Sequence, residues 1–164
     1  MHTLRMELLQ QMPIFGAIDD EALRFLLDPV PSVAVPAGQF FFRERDPADC
    51  MYVLETGRVA VLKDWAGREL LLRELGQGDC FGEMALLDLF ERSASVRALD
   101  DCRAIALTSA HLLRLFEHDA EQFALIQMNI GREMSRRLRE ADEQLFRATM
   151  GEPRMAPDTA FQTI

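Results

Sequence analysis

Histidine is scarce in this chain: only His2, His111 and His118 occur, one at the terminus and two in stretches with helical spacing. A metal enzyme on a β scaffold needs several imidazoles on strands with a carboxylate nearby, and serine-type catalysis needs one within a nucleophile motif. Neither pattern is present, so no metal is expected and the chain does not read as an enzyme. Cysteine is equally sparse. Cys50, Cys80 and Cys102 are odd in number, widely spaced and without a CxxC pair, which suits small buried or half-buried hydrophobes in a reducing cytoplasm. No apolar run approaches the length needed to span a bilayer. The start, Met1 to Met12, carries Arg5 and Glu7 and breaks at Pro13, so no secretory signal is expected and the localisation reads as cytoplasmic. Basic residues are outnumbered: 18 Lys and Arg stand against 27 Asp and Glu, a net charge of -9. That balance argues against broad contact with nucleic acid or an anionic membrane. If such a protein binds an anion, it must do so at a local site.

At 164 residues the chain can bury one core. Leu4, Leu8, Leu9 and Met12 are spaced for one helical face, and Asp19-Asp20-Glu21 opens a second helix that ends at Asp28-Pro29. From Val33 to Leu107 short β segments recur about every ten residues with turn signals between them. They run over Val33–Val35, Gln39–Arg43, Met51–Glu55, Arg58–Lys63, Leu70–Leu75, Ala94–Ala98 and Arg103–Leu107, with Asp64-Trp65-Ala66-Gly67 as a hairpin turn. About eight strands with a short helix inserted among them predict an α+β fold, an eight-stranded antiparallel jelly-roll-like β-roll flanked by helices. Thr108-Ser109 caps a helix through Phe116, and Asp119 caps a long final helix to about Ala148. Its apolar stripe of Phe123, Ile126, Ile130, Met134, Leu138, Ala141 and Leu145 is longer than a small β-roll can cover. The stripe either folds back on its own domain or pairs with a second copy. Heptad spacing over its last members favours a parallel homodimer. The expected organisation is 1–30 N-terminal helices, 31–108 β-roll and 109–149 C-terminal helices, followed by a disordered tail at 150–164 containing Pro153 and Pro157.

The most informative stretch runs from Phe81 to Ala94. Its middle, Glu83 to Leu89, is an apolar helix of about two turns, too short to form on propensity alone. An anion site accounts for it. Gly82 permits a sharp turn, and the first N–H groups of Met84, Ala85 and Leu86 lack intrahelical partners and carry the positive end of the helix dipole. Arg92 returns to the same place with a fork of donors suited to phosphate, and Glu83 can accept from a sugar hydroxyl. The plainer alternative makes Glu83 a helix-start charge and Arg92 a solvated loop residue.

Phe81-Gly82-Glu83-Met84-Ala85-Leu86 and Arg92-Ser93-Ala94 closely resemble the phosphate-binding cassette of cyclic nucleotide-binding domains. The resemblance implies that Glu83 holds the ribose 2′-hydroxyl, that Arg92 and the helix amides hold the cyclic phosphate, and that Ser93 adds a hydroxyl. The ligand-binding set is then Gly82, Glu83, Met84, Ala85, Leu86, Arg92, Ser93, Ala94 and, on the final helix, Asp142. One departure stands in Arg43-Glu44-Arg45-Asp46, where the family usually has glycine at the third place. Arg45 must take a left-handed conformation or reshape the turn.

The resemblance implies a stand-alone receptor for cyclic AMP, with cyclic GMP as the alternative ligand, in which the final helix moves on binding. Bacterial catabolite activator proteins of similar layout continue into a helix-turn-helix, whereas only the tail follows here, so direct DNA binding is not expected and the output would be an effector protein or the dimer. No Arg-Arg-x-Ser/Thr pseudosubstrate precedes the domain. At the base, Ala141 and Asp142 fall where the activators offer Thr and Ser. Ala141 can form no side-chain hydrogen bond, while Asp142 reads either as an acceptor for the base or as a solvated residue. The rival function is a degenerate fold kept for dimerisation or docking, and Glu91, beside Arg92, is the residue that favours it.

Overall fold

The structure is a computed structural model that describes residues 2–88 and 90–151. The chain forms two compact units, Met1–Ile130 and Gly131–Ile164.

In the first unit, α1 (His2–Gln10) leads through a 3₁₀ turn (Pro13–Phe15) to α2 (Asp20–Leu27). Asp19 caps α2 as its spacing predicts, its carboxylate accepting from the Ala22 N–H at 2.7 Å. The buried face of α1 differs from the expected one. Met6 and Leu9 are buried with Met12, whereas Leu8 is 44% exposed.

Eight strands follow among the described residues: β1 (Ser32–Val35), β2 (Phe40–Phe42), β3 (Cys50–Thr56), β4 (Val59–Trp65), β5 (Arg68–Leu75), β6 (Cys80–Phe81), β7 (Ser95–Ala98) and β8 (Cys102–Thr108). They pair antiparallel in two four-stranded sheets, ordered β1-β8-β3-β6 and β2-β7-β4-β5. The β-roll predicted from strand spacing is the observed fold. Two details depart from it. The β4–β5 hairpin keeps Asp64 and Trp65 in the strand and turns on Ala66 and Gly67, because the pairing runs on to Trp65 opposite Arg68. And β6, only two residues long, was too short to show a period of two. Its place is nevertheless central: Phe81 pairs with Tyr52 and Cys80 with Val53, so the chain enters the cassette from a strand anchored on β3.

The roll is filled by Leu54, Val59, Phe81, Val96, Ala98 and Ala104, all buried. Each large apolar side chain so enclosed stabilises the fold by roughly 1.5–3 kcal/mol. The three cysteines are buried and form no disulfide among the described residues. A register irregularity between Phe40 and Phe42 on β2 breaks the usual alternation of faces. Adjacent Phe41 and Phe42 therefore both join Tyr52 and Phe81 in a four-ring cluster with centroids 5.0–6.1 Å apart.

The cassette helix α3 spans Met84–Asp88, and α4 (Ser109–His118) follows β8. Thr108 and His111 form a reciprocal cap: Thr108 Oγ1 accepts from the His111 N–H at 3.3 Å and His111 Nδ1 accepts from the Thr108 N–H at 3.1 Å. His111 is thus a structural cap rather than a plain surface residue, and His118 stacks on Phe25 at 3.9 Å. Asp119 caps α5 (Ala120–Met150), accepting from Glu121 and Gln122 at 3.1 Å each. The first part of α5 belongs to the first unit. There Ile126 and Ile130 are buried, and Asn129 Nδ2 donates to the carbonyls of Ile14 and Gly16.

The second unit contains the rest of α5, laced by ion pairs between Arg137 and Glu133 (3.2 Å) and between Arg147 and Glu143 (3.0 Å), with Arg136 pairing to Glu133 and Glu140. Leu138 and Leu145 are 63% and 68% exposed. Met150 closes the helix, and of the stretch expected as a tail, 152–164 lie outside the described residues. No helix among the described residues is long and apolar enough to cross a membrane.

Candidate functional site: a buried arginine in a glycine turn

The cassette leaves β6 at Gly82, whose φ of +75° is a conformation that residues with a side chain adopt only at a cost. The turn also needs the missing side chain: a Cβ there would stand 2.6 Å from Arg92 Nη1 and 3.4 Å from the Cys50 carbonyl. Glu83 and Arg92, the residues expected to carry the chemistry, are both buried, at 7% and 5% exposure. The alternative that Arg92 is a solvated loop residue is therefore excluded.

Arg92 is held without a carboxylate. Nη1 donates to the Gly82 carbonyl at 3.2 Å, Nη2 makes a long contact to Cys50 Sγ at 3.7 Å, and the guanidinium carbon lies 4.0 Å over the Phe42 ring. Nε is buried with no hydrogen-bond partner, and no ion pair to Arg92 is formed among the described residues. A buried cation is ordinarily compensated by a hydrogen-bonded opposite charge. Burial pushes the Cys50 thiol and the Tyr52 phenol up, so both neighbours stay neutral and leave the guanidinium charge uncompensated. A guanidinium held in this way can take an anionic partner.

The backbone of Arg92 is locked from the other side. Arg45 N–H donates to the Arg92 carbonyl at 2.8 Å, and Arg92 N–H donates to the Asp46 carbonyl at 3.0 Å. Arg45 takes the left-handed option, φ +70°, so the departure from the family's glycine leaves the turn intact and places the strain on Arg45. That strain is about 1–2 kcal/mol, partly offset by the smaller backbone freedom of the unfolded chain relative to glycine. Arg45→Gly is expected to stabilise the protein by about 0.5–1 kcal/mol and raise the melting temperature by roughly 1–4 °C. A fall on thermal denaturation would mean that the Arg45 side chain contributes more than its backbone strain costs.

Ser93 is exposed. Its Oγ lies 3.8 Å from Met84 Sδ, and its carbonyl accepts from Lys63 Nζ at 2.7 Å. Lys63 also pairs with Glu44, and that hydrogen bond holds the Glu44 carboxyl below its ordinary value. A depressed carboxyl contributes its stability above the unfolded-state value and loses it as pH falls through the folded one, so this brace weakens in acid. Ala94 is buried, Met84 exposed and Leu86 half-buried. One expectation needs correction: the Leu86 N–H already donates to the Glu83 carbonyl at 3.0 Å, so it is not a spare donor. The backbone places Ala85 in the first turn of α3. The structure groups the expected site residues of the first unit, and Asp142 is exposed on the part of α5 that belongs to the second unit. Sequence reasoning missed Phe42, Cys50 and Tyr52, which no local motif links to Arg92.

Behind the cassette, Leu86 and Leu87 face Leu112, Leu113 and Phe116 of α4 and Phe123 and Ile130 of α5 across an apolar cavity of about 330 Å³. Among the described residues no cluster of three or more His, Cys, Asp or Glu could hold a metal ion.

The chain is 34% identical over 134 residues to the cyclic AMP receptor protein of Thermus thermophilus, covering 81% of this chain and 60% of that protein. It is 32% identical over 99 residues to the cAMP-dependent protein kinase regulatory subunit of Emericella nidulans, covering 60% of this chain and 24% of that one. The chain thus spans less than two thirds of the length of each of these curated relatives. A solved cyclic nucleotide-binding domain from Methylobacillus flagellatus superposes with a TM-score of 0.79 at 26% identity, over 90% of this chain and 84% of that one. The family model described as the cyclic nucleotide-binding domain matches residues 32–119, more than half of the chain. On that match the chain belongs to the cyclic nucleotide-binding domain family.

Proposed function

We propose that this chain is a non-enzymatic receptor module for a cyclic nucleotide, cyclic AMP in the first place, and that binding changes the position of its C-terminal helices. One observation carries this reading: Arg92 is buried, charged and without a carboxylate partner, at the place where the family's cassette receives a phosphate. Gly82, Glu83, Met84, Ala85, Leu86, Ser93 and Ala94 complete the proposed phosphate and ribose site. The cavity between α3 and the pair α4 and α5 supports the conformational part, because drawing the cassette toward ligand lets those apolar faces close on one another. Glu91 does not favour the degenerate reading, since it is exposed and makes no ion pair with Arg92.

Thermal-shift titration with cyclic AMP tests the proposal. Ligand at a hundred times its dissociation constant stabilises the native state by about 2.7 kcal/mol, which raises the melting temperature by roughly 5–10 °C in a chain of this size. No shift with either cyclic AMP or cyclic GMP at millimolar concentration would overturn it. Discrimination between the two is expected to be weak, because Ala141 offers the base no side-chain hydrogen bond. A preference of a hundred-fold, about 2.7 kcal/mol, in competition titration would contradict that.

The exposed Leu138 and Leu145 support a homodimer through α5 that transmits the signal to an effector protein. Met134→Glu combined with Leu138→Glu is expected to yield a monomer that keeps a folded β-roll. Light scattering checks this, and a monomeric wild type at micromolar concentration removes the premise.

A further inference from the structure

We infer that Phe42 is a positioning residue for the anion site: its ring is the platform that keeps the Arg92 guanidinium seated, and still fully charged, before ligand arrives. The inference rests on the cyclic-nucleotide reading and deepens it. A guanidinium buried at 5% exposure needs something to hold it, and the common solution, a carboxylate, would have to be displaced by the incoming phosphate. An aromatic face attracts the cation through its quadrupole and carries no net charge, so it leaves the cation available to an anion.

The geometry around Phe42 is built for this. Arg92 Cζ stands 4.0 Å over the Phe42 ring and 5.9 Å from that of Tyr52. Phe42 itself is backed by Tyr52, stacked at 6.0 Å, and by Phe81 at 6.1 Å, so the half-buried platform packs against the roll's core. The register irregularity between Phe40 and Phe42 on β2 accompanies the placement of both Phe41 and Phe42 against Tyr52 and Phe81. Gly82 then has a second purpose besides its left-handed turn. A Cβ there would press on Phe42 Cε1 at 3.4 Å as well as on Arg92 Nη1, so the missing side chain leaves room for the guanidinium between ring and turn. Without the ring's attraction, Arg92 would leave this seat in the ligand-free protein, and binding would have to restore it, which lowers affinity.

Fluorination of the ring at position 42 separates this role from packing, because it weakens and then reverses the quadrupole while nearly preserving shape. Phenylalanine analogues with increasing fluorine content, incorporated site-specifically in the full chain, are to be titrated calorimetrically with cyclic AMP. Ligand-free melting temperatures serve as the control for folding. Affinity is expected to fall stepwise, by about tenfold at the pentafluoro ring, the scale of one desolvated cation–π contact, and Phe42→Tyr is expected to stay within about threefold of wild type. A flat series in proteins that melt like wild type overturns the platform while leaving the receptor reading in place. A wild type that binds neither cyclic AMP nor cyclic GMP overturns both.

Discussion

Arg92→Ala is expected to weaken cyclic-nucleotide binding by about thirty-fold to several-thousand-fold, because truncating one partner of a desolvated charge pair costs roughly 2–5 kcal/mol. The ligand-free protein should respond quite differently. No carboxylate among the described residues loses a partner with Arg92, and its removal takes a buried charge and an unpartnered Nε out of the fold. Its melting temperature is therefore expected to change little. Glu83→Ala should cost less in binding, about the 1.5–3 kcal/mol of a charged hydrogen bond. Calorimetric titration measures both affinities and thermal denaturation measures stability. Near-wild-type affinity in Arg92→Ala would refute the cassette assignment, and a collapse of ligand-free stability would show that Arg92 is mainly structural.

The second large effect concerns stability. Gly57, between β3 and β4, has φ +91°, and a Cβ there would meet Cys102 Sγ at 2.7 Å and the Asp101 carbonyl at 2.9 Å. Two penalties add. A side chain at that φ costs about 1–2 kcal/mol, and overpacking against backbone that is itself held in place costs about 1–3 more. The surroundings cannot easily yield: Arg58, the next residue, accepts from the Leu99 N–H at 2.8 Å and pairs with Asp100 at 2.9 Å. Gly57→Ala is thus expected to lower stability by about 2–5 kcal/mol and the melting temperature by roughly 5–20 °C. A loss below about 2 °C would mean that the β3–β4 turn and the Asp101-Cys102 segment move apart at little cost.

Much of this was legible from the chain itself. Helix starts were readable because caps are local: Asp19, Thr108 and Asp119 each bond an amide two or three residues on. The strands were readable where alternation lasted four residues or more, and the cassette because its glycine, acid and arginine stand close together in sequence. Leu8 and the two-residue β6 were misread or missed for the same reason, since neither has enough sequence around it to set a face or a period.

The platform under Arg92 could not have been read in this way. Phe42, Cys50 and Tyr52 come from two strands in different sheets, and a triplet of phenylalanines at 40–42 does not announce a register irregularity. Residue type and spacing, which depend on neighbours a few positions apart, determined that this chain has a β-roll, capped helices and a glycine turn that opens the cassette. Tertiary structure decided that Arg92 is buried on an aromatic face instead of paired with a carboxylate, and that Arg45 carries the strain of the turn. Both outcomes depend on contacts between residues some 40 positions or more apart, and such contacts exist only once the two sheets have closed on each other.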